Sequence, residues 1–206
     1  QEARRLKQAV ALLLDLENGA LTIQKREEGI SDRLNAHFTK DESGTLNTGK
    51  GDIFVRVFNP PLRLLIIGAV HIAQVLAKLA NEAGYEIVVI DPRDTWGARD
   101  RFRGVTVDRR WPSTALQDLS PDSRTAVVTL CHDPKLDDPA LTIALQSDAF
   151  YVGSLGSKKT HSKRLERLKT LGVCAENAER IKAPVGLDIG ARTPAEIALS
   201  IMAEIT

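Results

Sequence analysis

Residues 64–94, "LLIIGAVHIAQVLAKLANEAGYEIVVIDPRD", decide how the rest of the chain is read. Four apolar residues lead into Gly68, a stretch with helical spacing follows, and a second apolar run ends on Asp91. Strand, glycine turn, helix and strand in this order form the opening unit of a doubly wound α/β sheet, and Gly68-Ala69-Val70-His71-Ile72-Ala73 aligns with the GxGxxA turn of a dinucleotide site. Asp91 stands about 20 positions after the turn, where an acidic residue would hold a ribose hydroxyl. The alignment fails at Val70, which takes the place of the second glycine and fills space that a pyrophosphate needs near the backbone. Conventional NAD binding is therefore disfavoured. The N-terminus of the following helix still offers unpaired N–H groups and partial positive charge to some other anion. His71 either turns toward such a ligand or packs at the helix start.

Outward from this unit the same rhythm continues. Candidate strands are "LRLLII" (62–67), "YEIVVI" (85–90), "VTV" (105–107), "TAVVTL" (125–130) and "AFYV" (149–152), with helices expected over 71–83, 137–147 and 158–171. Strands alternating with helices predict a mainly parallel Rossmann-like sheet covered on both faces, over residues 59–206. In "TPAEIALSIMAEI" (193–205), Thr193 is the expected N-cap, Pro194 opens the helix and Glu196 completes a capping box, with Ile197 and Ile201 on the buried face. Upstream, residues 1–58 read as a small α+β lobe. Two apolar runs in "AVALLLDLENGALTIQK" (9–25) flank Asn18-Gly19 as a tight hairpin, "ISDRLNAHF" suits a short helix, "TKDESGTLNTGKGD" is turn-rich, and "IFVRVF" (53–58) is a strand. Pro60-Pro61 is a stiff boundary.

Composition narrows the partners. A chain of 206 residues with 43% hydrophobic and 27% charged residues is long enough to bury a core, and a net charge of +1 provides no field for nucleic acid or anionic membrane. No apolar run approaches the ~20 residues of a membrane span, and the charged start "QEARRLKQAV" is no secretion signal. Cys131 and Cys174, with neither CxxC nor CxxH spacing, suggest a reducing cytoplasm rather than a disulfide framework or a zinc site.

Ligands of a doubly wound sheet bind beyond the carboxyl ends of its strands, so the loops there are read together. Asp91 and Arg93 follow one strand, as acceptor for a hydroxyl and donor to a phosphate, or as a salt bridge with each other. Cys131-His132-Asp133 follow another. His132 and Asp133 suit an acid/base pair or a ligand clamp, and Cys131 is a weak candidate for a soft metal or for sulfur. The densest loop is Gly153-Ser154-Leu155-Gly156-Ser157-Lys158-Lys159-Thr160-His161, in which Gly153, Ser154, Gly156, Ser157, Lys158 and Lys159 suit a phosphate cradle at a helix start, without the Walker A spacing. In "APVGLDIG" (183–190), Asp188 lies between two glycines in a segment able to fold over a site.

Taken together, "GAVHIAQVLAKLA", "VVIDPRDTWGARDRF", "HDPKLDDPAL", "FYVGSLGSKKTHSKRLERL" and "APVGLDIGARTPAEIALSIMAEI" resemble the Rossmann domain of the XdhC/CoxI family, from about Pro60 to the C-terminus. The resemblance implies an accessory factor of xanthine dehydrogenase and related molybdenum hydroxylases, one that binds molybdenum cofactor, protects it during sulfuration and helps deliver it to the apo-hydroxylase. It implies a cofactor chaperone without turnover of its own, with a sulfurtransferase of the cysteine desulfurase type as a second partner. Molybdopterin carries a phosphate, a hydrogen-bonding pterin and a metal dithiolene. Ser157, Lys158 and the helix start are expected at the phosphate, with Asp91, His132 and Asp133 at the pterin edge. Many members of the family read GAGH where this chain has GAVH, a form similar to a shorter subgroup. Longer members carry a glycine-rich segment with a cysteine in an N-terminal domain, and residues 1–58 show no such segment, so that cysteine's role does not transfer. An NAD(P)-dependent oxidoreductase and a nucleotide-sensing module remain the alternatives. A homodimer is expected without a marked interface.

Overall fold

The computed structural model describes residues 8–26, 30–49, 51–93 and 101–206. The chain forms two compact units, Gln1–Pro60 and Pro61–Thr206. In the first, strands β1 (Val10–Asp15), β2 (Leu21–Lys25), β3 (Gly44–Asn47) and β4 (Asp52–Phe58) form an antiparallel sheet of order β2-β1-β4-β3. Helix α1 (Asp32–Lys40) starts at the cap Ser31 and buries Leu34 and Phe38 in a core with Ala11 and Val55. The first hairpin is wider than a tight turn. Its residues 16–20 wrap around the Asp15 carboxylate, which accepts from the amides of Glu17 (2.9 Å) and Asn18 (3.2 Å), and only Gly19 takes a positive φ, 75°. Part of the polar stretch expected to be turns is strand β3, because pairing with β4 supplies its backbone bonds where its own residues have little strand preference.

The second unit is an α/β domain whose sheet is parallel throughout. Strands β5 (Arg63–Ile67), β6 (Glu86–Ile90), β7 (Thr106–Asp108), β8 (Thr125–Thr129), β9 (Tyr151–Ser154) and β10 (Ile181–Lys182) lie in the order β10-β9-β8-β5-β6-β7. Helices α2 (His71–Glu82), α3 (Pro112–Leu119), α4 (Pro134–Gln146), α5 (Lys158–Thr170), α6 (Ala175–Ala178) and α7 (Pro194–Ile205) complete it. Strand β5 shows why its sequence is apolar at every position. Leu64 and Ile66 pack with α2 and α7 on one face, and Leu65 and Ile67 with α3, α4 and α5 on the other. Its first residue is anchored as well, since Arg63 donates to Thr125 Oγ1 (3.1 Å) and to the carbonyls of Leu119 (2.9 Å) and Ser120 (3.0 Å).

Strand order reverses on either side of β5, so the chain leaves β5 for β6 in one direction and later returns to β8 in the other. A crevice opens at such a switch point, and the loops after β5, β6, β8 and β9 meet beyond it. Helix α7 is capped as its sequence demands: Thr193 Oγ1 accepts from the Glu196 amide (3.2 Å), and Glu196 Oε2 accepts from the Thr193 amide (2.9 Å). Helices α3 and α6 and the short β10 escape the sequence reading. Trp111, which precedes α3, has no capping oxygen, and only Pro112 at the first turn marks that helix. Among the described residues no helix is long and apolar enough to cross a membrane.

Candidate functional site at the sheet edge

The loop after β5 is closed by its neighbours. Gly68 has φ 111°, and a Cβ there would lie 2.7 Å from Cys131 Sγ, so the first glycine is required by the approach of the β8 loop. Val70 caps α2 with an ordinary extended backbone, φ −89°, and needs no glycine. His71 is exposed at the first helical position, its Nδ1 3.5 Å from Gln74 Nε2.

Asp91 is 2% exposed, and its carboxylate is fully engaged. Oδ1 accepts from the Arg93 amide (3.0 Å) and Nε (2.9 Å), while Oδ2 accepts from the Ala69 amide (2.8 Å) and Arg93 Nη2 (2.8 Å). Four acceptor bonds use up what a carboxylate offers, so Asp91 fastens the glycine turn instead of presenting an oxygen to a ribose or a pterin. Burial pushes its carboxyl up, but the bonds from Arg93 and Ala69 outweigh that and hold it below the usual carboxylate range. Arg93 also reaches Cys131 Sγ at 3.6 Å. The thiol itself is pushed up to about 12, first by burial and then by the charge of Asp137, so Cys131 is a neutral thiol at physiological pH. Asp94 and "TWGARD" (95–100) after it lie outside the described residues.

Beyond β8 and β9 the edge opens. His132 takes the left-handed conformation, φ 58°, and Asp133 caps α4, accepting from the Lys135 amide at 3.0 Å. Ser157 caps α5 by accepting from the Thr160 amide at 3.2 Å. A cleft of about 290 Å³ lies here, lined by His132 and Asp137 from one side and by Lys159, Lys163, Arg164 and Arg167 of α5. Arg164 is only 2% exposed. Its Nη2 donates to the Leu155 carbonyl at 2.8 Å, whereas Nε and Nη1 have no hydrogen-bond partner among the described residues. Asp137 is equally buried; one of its oxygens, Oδ1, is likewise unpartnered there. Burial raises its carboxyl to about 6, against the pull of Arg164 and the backbone amides of Cys131 and His132. Arg167, by contrast, is held by Asp138 through bonds of 2.5 and 3.0 Å.

The structure thus divides the residues expected at a ligand. Gly68, Asp91 and Arg93 gather around Cys131, and the Asp91 carboxylate among them is fully engaged. His132 faces the cleft. Gly156, with φ 139°, lies against it, where a Cβ would come within 3.4 Å of Arg164 Nη2. Ser154 is buried and bridges to Thr129 Oγ1 at 2.5 Å, and Gly153 is a packing position whose Cβ would strike Val185 at 2.5 Å, so neither forms a cradle. Lys158 is exposed at the start of α5, and Asp188 is exposed in the loop before α7. Sequence reading places Lys159 in the cradle loop with Thr160 beside it, but gives no role to Asp137 and passes over Lys163, Arg164 and Arg167. A signal for the α5 residues is present, because 159, 163 and 167, and likewise 160 and 164, recur every four residues on one helical face. Among the described residues, no group of three or more His, Cys, Asp or Glu side chains gathers as for a metal.

Residues 64–205 match the model of the XdhC Rossmann domain. The chain belongs to the XdhC family. Among its relatives, the molybdenum cofactor insertion chaperone PaoD of Escherichia coli (strain K12) is 36% identical over 148 residues, covering 72% of this chain and 40% of PaoD. A probable xanthine dehydrogenase subunit of Bacillus subtilis (strain 168) is 28% identical over 155 residues, covering 75% of this chain and 45% of that one. The chain therefore spans less than half the length of these curated relatives. A crystal structure of a xanthine dehydrogenase from Bacillus halodurans shares the fold, with a TM-score of 0.74 at 21% identity over 99% of this chain and 63% of that one.

Proposed function

We propose that this XdhC protein binds molybdenum cofactor in the cytoplasm, shelters it during sulfuration and hands it to an apo-hydroxylase of the xanthine dehydrogenase type. A cysteine desulfurase would be the sulfur donor. The observation that carries the reading is the open half of the sheet edge, a basic cleft around the buried Arg164, in a family that includes a molybdenum cofactor insertion chaperone. The donor set suits the ligand. Unpartnered guanidinium nitrogens answer an anionic group, and His132 and Asp133 at the rim of the β8 loop suit the polar edge of a pterin. The metal-centred redox chemistry of the cofactor belongs to the recipient enzyme, so the residues here bind, orient and exclude water. Cys131, a neutral thiol packed against Gly68, is left without a part in sulfur transfer.

Anaerobic titration of molybdenum cofactor, with NADH and NADPH titrated separately, tests the reading. Near-stoichiometric cofactor binding that weakens in His132→Ala is expected. Binding of a nicotinamide nucleotide in place of the cofactor would return the chain to the oxidoreductase or sensor class.

A further inference from the structure

We propose that the cleft between the first turns of α4 and α5 is a phosphomonoester site, with Arg164 at its base and Lys159 and Lys163 at its mouth. The inference deepens the chaperone reading and rests on it for the place of the site in cofactor handling, while the anion site itself stands on the side chains. An arginine 2% exposed with two nitrogens unpartnered among the described residues is costly to hold, since a buried charge needs both a counter-charge and hydrogen bonds. Asp137 gives only part of that. It lies near enough to feel Arg164 electrostatically, yet its Oδ1 is also unpartnered, so the two do not satisfy each other. A tetrahedral oxyanion supplies several acceptors at once and would meet the orphaned donors.

The surroundings favour an anion. Arg167 is neutralised by Asp138, but Lys159 and Lys163 leave two further cations on the cleft wall against the single carboxylate of Asp137. Helices α4 and α5 both begin there, as Pro134 and Lys159 line the cleft, and their first-turn N–H groups add partial positive charge. Thr160 adds a hydroxyl on the same turn. A volume of about 290 Å³ leaves room for part of the esterified group as well as the phosphate, which argues for a monoester over free phosphate.

The test is calorimetric titration of the full chain with phenyl phosphate and, separately, inorganic phosphate. Phenyl phosphate is expected to bind about tenfold tighter than inorganic phosphate. The double variant Lys159→Gln/Lys163→Gln, which alters only exposed side chains, should weaken it by roughly tenfold or more. Asp137→Asn, which removes the opposing charge, should tighten it. Inorganic phosphate binding as tightly as the ester would overturn the monoester assignment, and binding that ignores both variants, or none at all, would overturn the site. The titration contains no pterin, so a protein that takes up molybdenum cofactor but not phenyl phosphate refutes this site and leaves the chaperone reading standing.

Discussion

Among the aspartate and arginine pairs at the carboxyl edge of the parallel sheet, Asp91 with Arg93 and Asp137 with Arg164 use their polar atoms in opposite ways. In the first, every lone pair of a buried carboxylate is taken by the arginine two residues on and by the amide of the glycine turn. In the second, a carboxylate and a guanidinium of equal burial lie near each other with three atoms left unpartnered among the described residues. The first pair is a fastening, and the second keeps donors that a ligand could use. A motif-based reading looks for function at the first, because that is where dinucleotide folds place it; the hydrogen bonds leave room for it at the second.

Removal of Asp91 is expected to have the largest effect. Asp91→Ala strips acceptors from the Ala69 amide and from Arg93, and we expect a loss of about 3 kcal/mol in denaturant unfolding, with part of the arginine's contribution already screened by solvent. A loss below about 1 kcal/mol would mean that the fastening is idle. Asp137→Asn should act the other way. Because the folded protein holds this carboxyl up at about 6, the ionised form weakens the fold above that pH, and the penalty fades as pH falls toward the ordinary carboxylate range. The variant should therefore be more stable than the parent by roughly 2 kcal/mol at pH 7.5 and equal to it near pH 4, as read by thermal unfolding at both. Asp91 has the opposite sign: its carboxyl lies below the usual range in the folded state, so its contribution is present at neutral pH and is lost on acidification. The smallest effect sharpens the boundary of the second site. Lys158→Gln, adjacent in sequence to Lys159 but outside the cleft lining, should change phenyl phosphate affinity by less than about twofold.

Much of the fold is legible in the sequence because its signals are local. The apolar run at 64–67, the helical spacing after Gly68 and the box at Thr193 each declare an element without help from the rest of the chain. Strand β3 and helix α3 do not declare themselves, one because its partner strand imposes it and the other because its cap position is a tryptophan. The candidate site is legible only in part. His132 and the loop leading into α5 follow from their place after strands, but whether a carboxylate is free depends on which groups bond to it. Asp91 reads in the sequence either as an acceptor for a hydroxyl or as the partner of Arg93, and the fold selects the second by turning Arg93 back onto it. Arg164 reads as one more cation on a charged helix, and only burial between α4 and α5 makes it different.

Strand β5 carries a consequence for mutational tolerance. Since Leu64, Leu65, Ile66 and Ile67 are all buried, sliding the strand by one residue would exchange one apolar face for another and cost little in hydrophobic contact. Its position must instead be set at the two ends, by the three bonds from Arg63 and by Gly68, where no side chain fits beside Cys131. The middle of the strand should accept exchanges between Leu and Ile at a cost below about 1.5 kcal/mol, while the residues that lock its alignment are the polar one before it and the one without a side chain after it.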